Sequence, residues 1–444
     1  MTLQVSSVRT SGPGDLKGAR CEPEQATVFS LKAPVVPLHA ALPGQADDVV
    51  LLAPAEGLCR VGWGWARSHV TSGPQRLEHL DAWCRQTLGA ISLEGCTAPA
   101  PVLVTGFAFE DEVEGAWAAF GAARAVLPRY SYIKDGAQAW LQIVIEADED
   151  RAQALEHARQ ILGRLHTPSA TPSMSATLGE QGSRESWSSA INSAQAHMAS
   201  GAAKKVVLSR RMQLRLDASV RPRTAVARVM GSRAPGTRFV FAVQGQAFVG
   251  VTPERLVAVQ GDHVHSAALA GSMPEPQGDG ARLIQDAKER EEHALVAEHV
   301  EEALSVFCDD LRVPEHPEVL RLGYVSHLFT PMQGTLTRPA SLFEVARRLH
   351  PTPAVGGVPT ATACAIIKEA EPTPRGWYTG GIGQVSASGQ GELWVALRSA
   401  LLSGDCGLLF VGAGIVPASN AAREWQETHA KAQAMLMTLG ANAP

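Results

Sequence analysis

Residues 204–216 read KKVVLSRRMQLRL, and the fold is decided by how this stretch is read. Val206, Leu208, Met212, Leu214 and Leu216 fall at even positions with mostly polar residues between them, the period of a strand that buries one face. Lys205 then shares the opposite face with Val207 and Ser209. The chain has only eight lysines against a large arginine excess, so a lysine at the mouth of a strand is informative. Arginine does not release its proton, whereas lysine can serve as a base once its surroundings lower its pKa. The same position also suits a surface lysine whose stem lies along the sheet.

Downstream, Phe239–Val243 and Ala247–Val251 are two more strand signals leading into TPERL (252–256), and Val264–Ala268 leads to a turn expected at Ala270–Gly271–Ser272. Residues Gly280–Leu304 predict one long helix with Ile284, Ala287, Val296, Val300, Ala303 and Leu304 as its apolar stripe. Trp377–Val385, Leu393–Leu402 and Leu408–Val416 predict a three-stranded meander. Ser419 and Asn420 are candidate N-caps for a last helix reaching about Leu439, with Ala432, Met435, Leu436 and Leu439 inward.

Upstream, Val49–Ala53, Pro101–Phe109 and Trp140–Ile145 read as short turn-bounded strands, and Asp150–Leu165 as the one clear helix. Residues 167–186 (TPSATPSMSATLGEQGSRES) are rich in Ser, Thr and Pro and suit a linker. Two parts are therefore expected: residues 1–185, without a chemical motif, and residues 186–440, which carry all of them.

Composition narrows the function. Apolar residues make up 45% and charged residues 19% of 444 positions, enough for a large buried core. A net charge of −5 with no basic stripe argues against nucleic acid as a partner. Seven scattered cysteines without C-x-x-C suggest neither disulfides nor a thiolate metal site, and a reducing cytoplasm is expected. The opening MTLQVSSVRTSGPGD lacks the pattern of an export signal, and no apolar run is long enough for a membrane span.

Two places carry chemistry on spacing alone. Glu289 and Glu292 share a helix face, as do Glu424, Glu427 and Lys431. Carboxylates so placed can hold a hard divalent cation such as Mg²⁺, or they are simply solvated faces. In GLLFVGAGIVPASN (407–420), Pro417 stands where a dinucleotide fingerprint needs glycine, which excludes that reading, while Gly412, Ala413 and Gly414 still allow close approach of an anion to the backbone.

These signals coincide in one pattern. KVVLSR (205–210), TPERL (252–256), LAGS (269–272), KEREEH (288–293), LHPTPAVGGVP (349–359), RGWYTGGIG (375–383), LWVALRSALL (393–402) and GAGIVPASN with EWQET and Lys431 (412–431) follow in the order found in the chorismate-utilising enzymes. From about Glu185 to Leu439 the chain resembles that family, and within it the isochorismate synthases.

The resemblance implies an α+β fold of two packed β-sheets flanked by helices, as in anthranilate synthase component I. It implies conversion of chorismate to isochorismate. Lys205 would activate the water that attacks C2, and Glu254 would protonate the departing C4 hydroxyl, with His327 near that group. Mg²⁺ would be held by Glu292 and Glu427, with Glu289 and Glu424 behind them. Lys431 would meet the ring carboxylate, and Arg398, Tyr378 and the peptide groups around Gly412 and Gly414 the enolpyruvyl carboxylate. Gly271 would lie close to the ring, with Ala354 and Val355 as apolar walls. Two departures concern the rim: MPEPQGDG (273–280) lacks the arginines many members carry, and Gln384 stands where tryptophan is common. A salicylate synthase, which would also eliminate pyruvate, is the alternative. A glutaminase subunit is not expected, because Lys205 is present and Ala270 is not lysine. The residues do not choose between siderophore, menaquinone and salicylate routes for the product.

Overall fold

Trp65 and Arg67 flank a slip of one residue in the longest strand pair of the first half. The computed structural model describes residues 25–165, 172–179, 182–274, 280–323 and 325–441. In it, strand Cys59–Thr71 pairs along its length with Ala123–Asp135, and the register shifts between Trp65 and Arg67. An extra residue in one strand reverses which face its side chains take. Val61 and Trp63 before the slip join one core, while Ala66 packs against another.

Two layers meet at this pair. The first runs from Lys205–Leu216 through Cys406–Ile415, Ser399–Ser403, Gln246–Thr252, Thr237–Val243 and Val49–Ala53 to Cys59–Thr71. The second runs from Ala123–Asp135 through Leu103–Phe107, Gly381–Val385, Gly391–Val395, Arg255–Gln260 and His263–Pro274 to Val325–Thr335. Alternation along single strands shows how they stack. Val49, Leu51 and Ala53 face helices Arg151–Leu165, Pro222–Met230 and Ala421–Thr438, whereas Val50 and Leu52 face the space between the layers. Leu393 and Val395 face helices Arg76–Gly89, Ala287–Ser305 and Leu342–Leu349, whereas Trp394 faces inward.

The inner core is aromatic, with Phe239, Phe241, Phe248 and Trp377 fully buried, each contributing roughly 1.5–3 kcal/mol of burial free energy. The α+β class, two packed layers flanked by helices, is as expected. Strands of residues 1–185 are interleaved with the rest: Val49–Ala53 borders Thr237–Val243, and Leu103–Phe107 borders Gly381–Val385.

Several expectations need correction. Leu393–Leu402 is not one strand but two, Gly391–Val395 and Ser399–Ser403, separated by a break in which Arg398 has φ 45°. Trp377–Thr379 is a turn, with Thr379 at φ 62°, and that strand starts at Gly381. The expected turn at 270–272 is a bulge inside strand His263–Pro274. The expected long helix is two, Gly280–Gln285 and Ala287–Ser305, because Asp286 accepts from the N–H groups of Lys288 and Glu289 and caps the second. Ile284 is consequently 43% exposed, and the buried face is Glu289, His293, Val296 and Val300.

Helix Arg76–Gly89 escapes the sequence reading because its inward stripe includes Arg76, Asp81 and Thr87. Of the linker candidate, 167–171 and 180–181 lie outside the described residues. Within it Ala176–Leu178 is an edge strand on Lys205–Leu216, and Met174 and Ala176 are buried. Residues 275–279 of MPEPQGDG and the chain's opening also lie outside the described residues.

Candidate active site

Lys205 opens its strand with a side chain that is fully buried, not lying on the surface. Its Nζ stands 2.9 Å from Glu292 Oε1. Strand Cys406–Ile415 runs antiparallel beside it, with Gly412 opposite Ser209 and Gly414 opposite Val207. Val207 N donates elsewhere, to Gly356 O at 2.8 Å, and Ser209 N to Glu371 Oε1 at 2.7 Å. Gly412 and Gly414 are thus the non-hydrogen-bonded partners, and their peptide edges turn away from the Lys205 strand. A Cβ on Gly414 would lie 2.4 Å from Glu292 Oε1 and 3.1 Å from Lys205 Cε. The absence of a side chain at Gly414 lets a carboxylate from another element rest on the backbone.

A cavity opens in front of these strands, lined by Glu254, Glu292, His327, Tyr378, Arg398 and Lys431 among others, with Ala354, Val355, Gly412 and Gly414 in its wall. Lys205 lies behind Glu292 and Gly414, one layer beneath the surface of this cavity. Gly271 does not line it: with φ 72° it forms the bulge, and its Cα faces Glu289 O so closely that a Cβ would stand 2.7 Å away.

Glu254 ends the turn after Gln246–Thr252 and is 5% exposed. Burial pushes its carboxyl up to about 8, against the opposing pull of Lys205, Lys431 and Arg398. It therefore carries a proton at neutral pH and can donate it. His327 is the opposite case: burial, with Arg398 and Lys431 nearby, holds it well below the usual histidine range, so it is neutral. Since Arg398 Nη2 only donates, His327 Nε2 is the acceptor at 3.4 Å, and Nδ1–H donates to Ser272 Oγ at 3.0 Å. His327 thus orients Arg398. Tyr378 stacks on Phe410 at 5.2 Å between ring centroids.

The acidic helices face each other through lysines. Lys431 Nζ lies 2.7 Å from Glu427 Oε1 and donates to Gly412 O at 3.2 Å. Lys288 Nζ bridges Glu424 Oε1 at 3.2 Å and Glu289 Oε1 at 3.5 Å. Glu289 is raised to about 7 by burial and then by Glu292, and Glu424 is raised by burial and then by Glu427. Glu292 differs: against its burial, Lys205 holds its carboxyl below the usual range, so it is an ionised oxygen donor of the kind a hard cation takes. Among the described residues no three His, Cys, Asp or Glu side chains converge as a complete metal cage. A two-carboxylate site completed by water and substrate oxygens, the usual manner of Mg²⁺, is what these side chains suit.

Sequence reasoning missed Lys288, Ser272 and the buried pair Arg375–Glu371, although Lys288, Ser272 and Arg375 sit inside quoted motifs. Arg375 is 1% exposed and makes contacts to three elements.

The model of the family described as chorismate binding enzyme matches residues 25–440. The chain belongs to the chorismate binding enzymes. It is 32% identical over 358 residues to isochorismate synthase MenF of Bacillus subtilis, covering 78% of this chain and 76% of that one. It is 33% identical over 395 residues to the salicylate biosynthesis isochorismate synthase of Pseudomonas aeruginosa, covering 85% and 82%. Among solved structures, MenF, the menaquinone-specific isochorismate synthase of Escherichia coli, superposes with a TM-score of 0.78 at 26% identity, over 94% of this chain and 95% of that one. Anthranilate synthase component I of Streptococcus pneumoniae shares the fold, with a TM-score of 0.70 at 19% identity over 86% and 92%. The family and fold read from the motifs are thus borne out. Arg398 and Lys431 both line the cavity. Among the described residues no helix is long and apolar enough to cross a membrane.

Proposed function

We propose that this chorismate binding enzyme is an isochorismate synthase, adding water to C2 of chorismate with loss of the C4 hydroxyl. The observation that carries the reading is Glu254, a carboxyl kept protonated by burial in the same cavity as two cations suited to the substrate's carboxylates. Lys205, which meets the cavity only through Glu292 and Gly414, would act as the neutral amine, taking a proton from water as the water oxygen bonds to C2. The ring double bond shifts and the C4–O bond breaks. Glu254 gives its proton to the departing oxygen, which leaves as water. A base and an acid held apart by different surroundings are what such a displacement needs.

Arg398 and Tyr378, with the peptide edges of Gly412 and Gly414, hold the enolpyruvyl carboxylate, and Lys431 the ring carboxylate. Glu292 and Glu427 would hold Mg²⁺, with Glu289 and Glu424 behind them. When bound, the ion offsets repulsion between a dianionic substrate and the acidic helices. Ala354 and Val355 offer apolar walls and no hydrogen bond to hold isochorismate in the folded side-chain geometry that pyruvate elimination requires, which supports isochorismate over salicylate as the released product. The test is turnover in ¹⁸O-water: one ¹⁸O should appear at C2, and product without the label would overturn the mechanism.

A further inference from the structure

Arg375 does not face the cavity, yet its guanidinium reaches three of the residues that line it. Its Nη1 donates to Val355 O at 2.7 Å and lies 3.5 Å from Thr379 Oγ1. Its Nη2 donates to Val207 O at 2.7 Å, on the strand that Lys205 opens. Glu371 receives Nε at 2.9 Å and Nη2 at 2.5 Å, and the same carboxylate accepts from Ser209 N at 2.7 Å and Ser209 Oγ at 2.8 Å. From the other half of the chain, Glu110 accepts from the backbone N–H of Arg375 at 2.7 Å and of Gly376 at 3.0 Å. Phe109 lies under the guanidinium, 4.6 Å from ring centroid to Cζ.

Val207, Val355 and Thr379 all line the cavity. They come from a strand, a loop and a turn. The strand and the loop are also joined directly, by Val207 N to Gly356 O at 2.8 Å and by the pairing of Gly357–Val358 with Lys205–Val206, whereas among the described residues the turn at Tyr378–Thr379 has no ladder to either. The guanidinium is the group they have in common, and its planar fork fixes three acceptor directions at once. We infer that Arg375, seated by Glu371 and Glu110, is a positioning residue that sets the Lys205 strand against the Ala354–Val355 loop and the Tyr378 turn. This inference rests on the proposed function for its substrate.

Lysine at 375 keeps a charge for Glu371 and a long buried stem but cannot reach both carbonyls while pairing with the carboxylate. Arg375→Lys should fold with a melting temperature close to wild type. Its kcat should fall by about a hundredfold, the scale of a small misplacement of reacting groups, with a smaller change in KM. Glu110→Gln retains one acceptor oxygen and disturbs only the seat of the residue, so it tests the same idea even if the lysine variant does not fold. It should lose about tenfold in kcat, in line with one weakened charge-assisted hydrogen bond. Wild-type kcat in folded Arg375→Lys, or in Glu110→Gln, overturns the inference and leaves the residue a stability element. Each ratio is taken on whatever product the wild-type protein forms from chorismate. A wild-type product other than isochorismate therefore counts against the proposed function and not against these ratios.

Discussion

Glu254 is the side chain on which pH should act first. With its carboxyl near 8, the protonated form that donates to the leaving hydroxyl dominates at neutral pH and is lost as pH rises through that value. We expect kcat/KM, which reports the free enzyme, to fall with a slope of about one log unit per pH unit above roughly 8. Glu254→Gln should lower kcat by at least about a hundredfold and abolish that limb, and a variant that keeps both rate and limb would remove Glu254 from the mechanism. Lys205→Ala should lose turnover with its fold intact, and wild-type kcat would reassign the base. Lys205, Glu254, Glu292, Glu427 and Arg398 are legible only through the order of the motifs and the family resemblance it carries, since spacing alone suits a solvated face or a surface lysine equally. The sequence did not expose Arg375 or Glu371. A buried ion pair whose partners lie on a strand, a loop and a turn leaves no local period, and an arginine beside a glycine run reads like any other.

At the level of elements, the two breaks are as informative as the strands. Arg398 reaches the cavity because a strand stops at Val395 and resumes at Ser399, and Glu292 reaches it from the helix that Asp286 restarts. Neither break was legible, since LWVALRSALL reads as one apolar run and Gly280–Leu304 as one period. Asp286→Ala should cost about 1 kcal/mol of stability through the lost cap, measurable by urea unfolding, and no change would mean that the cap is idle. Gly414→Ala should fold, because the strand conformation suits alanine, but its methyl takes the place of Glu292 Oε1. We expect the Mg²⁺ concentration for half-maximal activity to rise at least tenfold, in line with a perturbed metal ligand; an unchanged Mg²⁺ requirement would mean that Glu292 holds no metal.

For the whole molecule, the fold class and the block order were legible, and the interleaving of the two halves was not. Pairing between Val49–Ala53 and Thr237–Val243 spans nearly the whole first half of the chain, a distance at which periodicity carries no information about partners. The central claim concerns what this assembled site makes. Purified protein given chorismate and Mg²⁺ at neutral pH, with products separated by chromatography, tests it most directly. Isochorismate should accumulate, with little salicylate and little pyruvate. Salicylate and pyruvate rising in step without an added lyase, or no isochorismate at all, would contradict the account.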